Sequence, residues 1–320
     1  MSARSIFGTR TARAPIAAIV AAGALVSAFS PSAALAKSKA PARAEILMLG
    51  DSQLSFGGGP AFLSFFNNFA ERCDGLMLPA DKRAAVTNMA TGIIGVRATG
   101  LQNWLSTTAK GKRMVCVKDP TGLVNARVLG AARTGPRWVQ IGESRNHNFC
   151  KRGTSPMAAL LATQRFRPKL MILHFMGLSA YHWLKPGNAE RDMKKVLATL
   201  PPKTGCIVMT TAPGYRADIN RPRLKAQPKI EAAVKATGKR CAFVRGLTSE
   251  TVAAFQGKAK RFYRHPSGKV RDPYHPVPSA ARDFVKTHRA ALCRAVIKQL
   301  WPDEPIGSFA TTTKPASIAN

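Results

Sequence analysis

Along the chain, short unbroken apolar runs alternate with longer segments whose apolar residues recur every three or four positions. Runs of the first kind read as strands buried on both faces, and segments of the second kind read as amphipathic helices. The first run, Ile46–Leu49, predicts a strand over 45–50. Ala84–Ala90 predicts a second, Lys169–Met176 a third, Gly205–Thr211 a fourth and Cys241–Arg245 a fifth. Helical spacing falls between them, over Pro60–Cys73, Leu101–Thr108, Met157–Arg165, Ala189–Leu200 and Ala226–Thr237. Phe62, Phe65, Phe66 and Phe69 form a core-facing stripe on the first of these. Pro201 and Pro202 stop the fourth, because proline cannot continue a helix, and Gly238 suits the end of the fifth. Ser279–Leu300 predicts a final amphipathic helix. Strands that alternate with helices predict an α/β fold, a three-layer α/β/α sandwich around a five-stranded parallel sheet.

The pattern weakens at both ends and over 109–155. Arg4, Arg10 and Arg13 precede an Ala-rich apolar stretch, Pro15–Phe29, and Ala34-Leu35-Ala36 has the small-x-small form of a cleavage site. Residues 1–36 therefore read as a signal peptide, with export to a periplasmic or extracellular space expected. No membrane span is expected after cleavage. Residues 37–44 read as a basic leader, 45–300 as the folded domain and 301–320 as a loose tail. Residues 109–155 are longer than a strand–helix unit needs and read as an insertion, a substrate wall or lid. Within it, 113–119, 126–132 and 137–142 have the composition of short strands.

Charge changes the picture most. The chain carries 49 Lys and Arg against 16 Asp and Glu, a formal net charge of +33. Such a surface draws anionic polymers. The export signal, and the lack of a helix-turn-helix, zinc-finger or RNP pattern, argue against nucleic acid and favour an anionic envelope polymer, glycan or lipid. The six cysteines are an even count in an exported chain, so disulfides are expected. Cys116–Cys150 and Cys206–Cys241 are candidate pairs, and the connectivity stays open. There is no C-x-x-C pair, no Cys/His cluster with zinc spacing and no dinucleotide or phosphate-loop glycine pattern, so neither metal nor cofactor is expected.

The chemistry gathers at two places. The first strand ends in Gly50-Asp51-Ser52-Gln53, and strand tips in open α/β sheets are where ligands bind. Asp272-Pro273-Tyr274-His275 lies just before the last helix. A serine hydroxyl needs a base to take its proton, and a histidine base needs a carboxylate to hold its tautomer. The three-residue spacing of Asp272 and His275 allows one short loop to supply both. These stretches, with Gly92-Ile93-Ile94-Gly95, resemble the first, fifth and second blocks of the SGNH (GDSL-type) hydrolases, over roughly residues 45–300. The resemblance implies a flavodoxin-like domain with Ser52 as nucleophile, His275 as base and Asp272 as its partner. It also implies backbone N–H groups of Ser52 and Gly95 as oxyanion donors. Where that family carries Asn in its third block, this chain has Gly177-Leu178-Ser179, so Ser179 is the expected side-chain donor. Asn88, Asn103, His182 and Asn188 lie near enough to be alternatives. Six basic residues, Lys258, Lys260, Arg261, Arg264, Lys269 and Arg271, lead into Asp272 and read as a rim that binds an anionic substrate. The implied activity is hydrolysis of an O-acyl ester. An O-acyltransferase and a non-catalytic binder of envelope polymers are the alternatives.

Overall fold

The computed structural model describes residues 44–107, 115, 129–134, 137–140, 153–162 and 166–304. Strands β1 (Ala44–Gly50), β2 (Thr91–Gly95), β3 (Leu129–Thr134), β4 (Arg137–Gln140), β5 (Phe166–His174), β6 (Gly205–Met209) and β7 (Cys241–Val244) form one sheet. Their order is β4-β3-β2-β1-β5-β6-β7. The five strands from β2 to β7 in that order are mutually parallel. The hairpin β3–β4 extends the β2 edge antiparallel. A separate hairpin of β8 (Phe262–Arg264) and β9 (Val270–Pro276) stands outside the sheet.

Helices α1 (Gly59–Asn67), α2 (Phe69–Arg72), α3 (Ala80–Asn88), α4 (Leu101–Trp104), α5 (Pro156–Ala162), α6 (Gly177–Trp183), α7 (Asn188–Thr199), α8 (Ala217–Lys235) and α9 (Ser249–Phe255) connect the strands. Helices α10 (Pro278–Thr287) and α11 (Arg289–Leu300) follow β9. None of the described helices is long and apolar enough to cross a membrane. Side-chain alternation along β1 feeds two cores at once. Leu47 and Leu49 join Trp104, Trp183 and Met193 on one face of the sheet, while Ile46 and Met48 join Phe62, Phe66 and Phe284 on the other. With both faces covered, the strand must be apolar throughout, which is why it reads as an unbroken run.

The parallel five-stranded α/β/α architecture is the one expected, with local differences. Ala84–Ala90 is not a strand. Most of it is the end of α3, whose only buried residue is Val86, so an alanine-rich surface helix explains its composition. The second strand is the next segment, Thr91–Gly95, buried throughout and paired with β1 and β3. The first helix is broken at Asn68, whose side chain donates to the Ser64 carbonyl. The helix expected over 101–108 is a single turn, α4. Helix α8 starts well before Ala226 and contains Pro222 and Pro228. The carbonyls those prolines leave unbonded belong to Asp218 and Leu224, on the exposed face, where water can take them. The final helix breaks at His288, which turns into the core.

Cys206–Cys241 is formed, joining β6 to β7. Cys73–Cys293 ties the end of α2 to α11 across 220 residues. Cys116 and Cys150 lie outside the described residues, as do the segments 1–36 and 305–320 and most of the 109–155 insertion.

Gly246, just past β7, is where a side chain is least tolerable. A Cβ there would sit 1.9 Å from the Thr210 carbonyl oxygen, a backbone atom that cannot swing aside. Gly246→Ala is expected to lower stability by about 3 kcal/mol, read as a fall in the urea midpoint. An unchanged midpoint would contradict this packing.

Candidate active site

The tip of β1 turns at Asp51 and enters helical backbone at Ser52. The helix widens into a π-helical turn over Leu54–Gly58 before α1 begins. Gly95, at the end of β2, backs directly onto this turn. A Cβ there would lie 2.7 Å from both the Leu54 side chain and the Ser55 backbone nitrogen, so only glycine lets the turn settle against the sheet. Asp51 fastens the tip. Its carboxylate is buried and accepts the Gln53 N–H at 2.9 Å, the Met176 N–H at 3.3 Å and the Gly177 N–H at 3.1 Å, linking the ends of β1 and β5. Burial pushes the Asp51 carboxyl above the usual range, and the Gln53 N–H and the charge of Arg223 offset only part of that.

Strand β9 brings the other half of the site. Ser52 Oγ lies 2.7 Å from His275 Nε2, and His275 Nδ1 lies 2.6 Å from Asp272 Oδ2. The second Asp272 oxygen accepts the Tyr274 N–H at 2.9 Å and the His275 N–H at 3.2 Å. Partial burial works to raise the Asp272 carboxyl. The His275 ring and these N–H groups outweigh it and hold Asp272 below the usual carboxylate range. An ionised Asp272 can only accept, so Nδ1 carries the imidazole proton and Nε2 is free to accept the Ser52 hydroxyl proton. The His275 ring is stacked on Phe56, centroids 3.9 Å apart, and the Arg97 guanidinium covers the other side of Phe56 at 3.8 Å.

Gln53 locks the two halves together. Its amide nitrogen donates to the Ala212 carbonyl at 2.9 Å and to the Tyr274 carbonyl at 3.1 Å, and its amide oxygen accepts the Ala212 N–H at 2.9 Å. One side chain thus spans the serine turn, the exit of β6 and the Asp–His loop. Above Ser52 and His275 opens a cleft, with Thr99, Tyr181, Arg223 and Tyr274 among its walls.

Ser52, Asp272 and His275 therefore meet as their spacing anticipates, and the other expected site residues do not join them. Gly95 is a sheet residue, paired with Gly50 and Leu129, and the cleft wall on that loop is Ala98 and Thr99. Ser179 is fully buried, and its hydroxyl accepts the Leu101 N–H at 2.8 Å, so it braces the start of α4 and does not line the cleft. Asn103 accepts the Gly100 N–H, and Asn188 donates to the His182 carbonyl. Lys258 and Lys260 just before the β8–β9 hairpin, and Arg264, Lys269 and Arg271 on it, are exposed and outside the cleft walls. Arg261 is engaged by Asp283 and lies over the Phe255 ring. The basic residue that does enter the cleft is Arg223, from α8. Burial pushes its guanidinium below the usual range, against the pull of Asp51 and of the Tyr181 and Tyr274 phenols. Nothing in its sequence neighbourhood separates Arg223 from the other basic residues. Gln53 carried a signal, its place directly after the serine.

No protein-family model matches the chain, and no curated protein matches it. Among solved structures it is similar to a DUF4886 family protein from Bacteroides uniformis, at 11% identity and a TM-score of 0.41, over 82% of this chain and 96% of that one. A family two carbohydrate esterase from Clostridium thermocellum, in complex with cellohexaose, shares 12% identity at a TM-score of 0.38, over 81% of this chain and 65% of that one. An acetyl xylan esterase from Butyrivibrio proteoclasticus shares 12% identity at 0.35, over 82% of this chain and 65% of that one. The chain thus spans slightly less than two thirds of the two esterases.

Proposed function

We propose that this chain is a serine hydrolase of the Ser–His–Asp type. More particularly, it is an exported esterase that removes an O-acyl group from an anionic envelope glycan or a lipid ester. The observation that carries the reading is the unbroken chain of contacts from Ser52 Oγ through His275 to Asp272, at 2.7 and 2.6 Å, opening on a cleft. His275 Nε2 takes the serine proton as Oγ bonds to the ester carbonyl carbon. The carbon–oxygen bond to the alcohol then breaks, and the alcohol leaves with that proton. Water, deprotonated by the same nitrogen, releases the acid and restores Ser52. Asp272 stays ionised and stabilises the imidazolium at each stage. The Ser52 backbone N–H, at the first helical turn, is the proposed oxyanion donor.

Hydrolysis of aryl acetate and butyrate by the folded protein, with labelling by a serine-directed fluorophosphonate, tests this. The absence of both turnover and labelling would overturn it. The proposal includes export, which the two disulfides Cys73–Cys293 and Cys206–Cys241 support. Sequencing the secreted protein is expected to find Lys37 at its N-terminus, and an N-terminus at Met1 would refute cleavage.

Gln53 should act by positioning. Gln53→Ala is expected to lower kcat by about 10–100-fold with little change in KM, because it frees the loop that aims His275. Gln53→Glu should not rescue, since a carboxylate cannot donate to the Ala212 and Tyr274 carbonyls. Equal losses in kcat and protein stability alone would argue against positioning.

A further inference from the structure

We infer that Arg223 is a specificity residue that grips a carboxylate on the alcohol part of the substrate, beside the ester that Ser52 attacks. This rests on the esterase reading and sharpens its substrate class to O-acylated acidic sugars.

Arg223 is 6% exposed. Buried arginines are ordinarily paired, because an uncompensated charge away from water is costly. Among the described residues Arg223 makes no ion pair, and its one hydrogen bond runs from Nη1 to the Ala212 carbonyl at 3.2 Å. A guanidinium has five N–H donors, so most of this fork is unused. Its nitrogens are not among the polar atoms sealed in protein without a partner, so the unused donors open on the cleft that Arg223 lines. Asp51, the acid whose charge acts on Arg223, is already taken by the N–H groups of Gln53, Met176 and Gly177. The fold thus brings a preorganised planar cation to the same cleft as Ser52, and among the described residues no carboxylate forms an ion pair with it.

The rest of the cleft narrows the ligand. A planar fork matches a carboxylate through two parallel hydrogen bonds. Tyr181 and Tyr274, 59% and 45% exposed, add aromatic faces and hydroxyls to the same walls, the kind of surface a sugar ring rests on. The exposed lysines and arginines of the β8–β9 hairpin can attract an acidic polymer from a distance, but they are not cleft residues. Selection at the reacting ester falls to Arg223.

The test is a matched pair, an acetylated methyl glucuronoside against the same acetylated methyl glucoside. The wild-type protein is expected to favour the uronate by about 10–100-fold in kcat/KM, the range of a charge-assisted hydrogen-bonded pair. Arg223→Gln should collapse that ratio towards one, and Arg223→Lys should restore part of it. A purely structural role would lower both substrates by the same factor and leave the ratio intact. Should the variants not fold, inhibition of the wild type decides, with free methyl glucuronoside expected to compete at least ten-fold better than methyl glucoside. Turnover of aryl acetate without any uronate preference would overturn this inference and leave the esterase standing. Absence of all turnover would instead remove the esterase reading itself.

Discussion

Ser52→Ala is expected to reduce kcat/KM for aryl acetate by at least about 10³–10⁴-fold and to abolish fluorophosphonate labelling, while the melting temperature stays where it was. The reason is the position of the hydroxyl. Ser52 is partly exposed at the turn after β1, and its Oγ is hydrogen-bonded to His275 Nε2. Removing it takes away the proposed nucleophile and one contact, and it opens no cavity in either core. Groups that act as a unit fail together, so Ser52→Ala combined with His275→Ala should be no worse than either alone. Multiplying losses in the double variant would mean that the two side chains act separately, and the chain of contacts would not be a catalytic unit. Full activity in Ser52→Ala would move the nucleophile elsewhere.

The second large effect is acid sensitivity, and it comes from two histidines that take no part in the cleft. His174 ends β5 at 1% exposure, and His288 sits between α10 and α11 at 5%. The His174 ring meets Phe62 edge-on at 5.0 Å, and the His288 ring meets Phe284 at 4.6 Å. His174 Nδ1 and His288 Nε2 are sealed without partners. Burial lowers His174 to about 3, helped by the nearby charge of a protonated His288, and lowers His288 to about 4. Both lie below the ordinary value of 6.5, so as pH falls the unfolded chain binds these protons first. The stability they permit is complete above about pH 6.5 and drains away as pH drops towards the folded values. The slope is about 1.4 kcal/mol per pH unit for each histidine. Near pH 4 the combined loss rivals the whole stability of an ordinary domain. Urea midpoints measured between pH 7.5 and 4 are expected to fall steeply, and His288→Gln should flatten the curve by about half. A flat profile in the wild type would show that neither histidine is held neutral.

How much of this was legible in the sequence depended on whether the cause was local. Strands β1, β5, β6 and β7 were readable because burial on both faces leaves only an apolar run as a solution. Strand β2 was not, because Thr91-Gly92-Ile93-Ile94-Gly95 owes its extended form to β1 and β3 on either side and to the turn packed on Gly95, none of which shows in its own composition. The same holds for the break at His288, where a periodic helix yields to a ring that the core accepts. In the site, Ser52, Asp272 and His275 were visible because their spacing encodes a strand tip and a short loop. Ser179 was misassigned because its hydroxyl is drawn to α4, a tertiary contact. Arg223 was invisible among 49 basic residues, since only the fold reveals that it is buried in the cleft wall without an ion pair among the described residues. Cys73–Cys293 was equally hidden, for no local feature pairs residues 220 apart.

That disulfide also decides how the molecule would bear tension. A force applied through its two ends crosses directly from Cys73 to Cys293, so the covalent segment between them, Asp272 and His275 included, is not drawn out. Strand β1 and the serine turn lie on the loaded path, held by the ladders of β1 with β2 and β5. Stretched in this way, the oxidised protein would surrender the segment holding Ser52 and, with β1, the middle of the sheet and a share of both cores. Only after reduction could the remaining chain be drawn out.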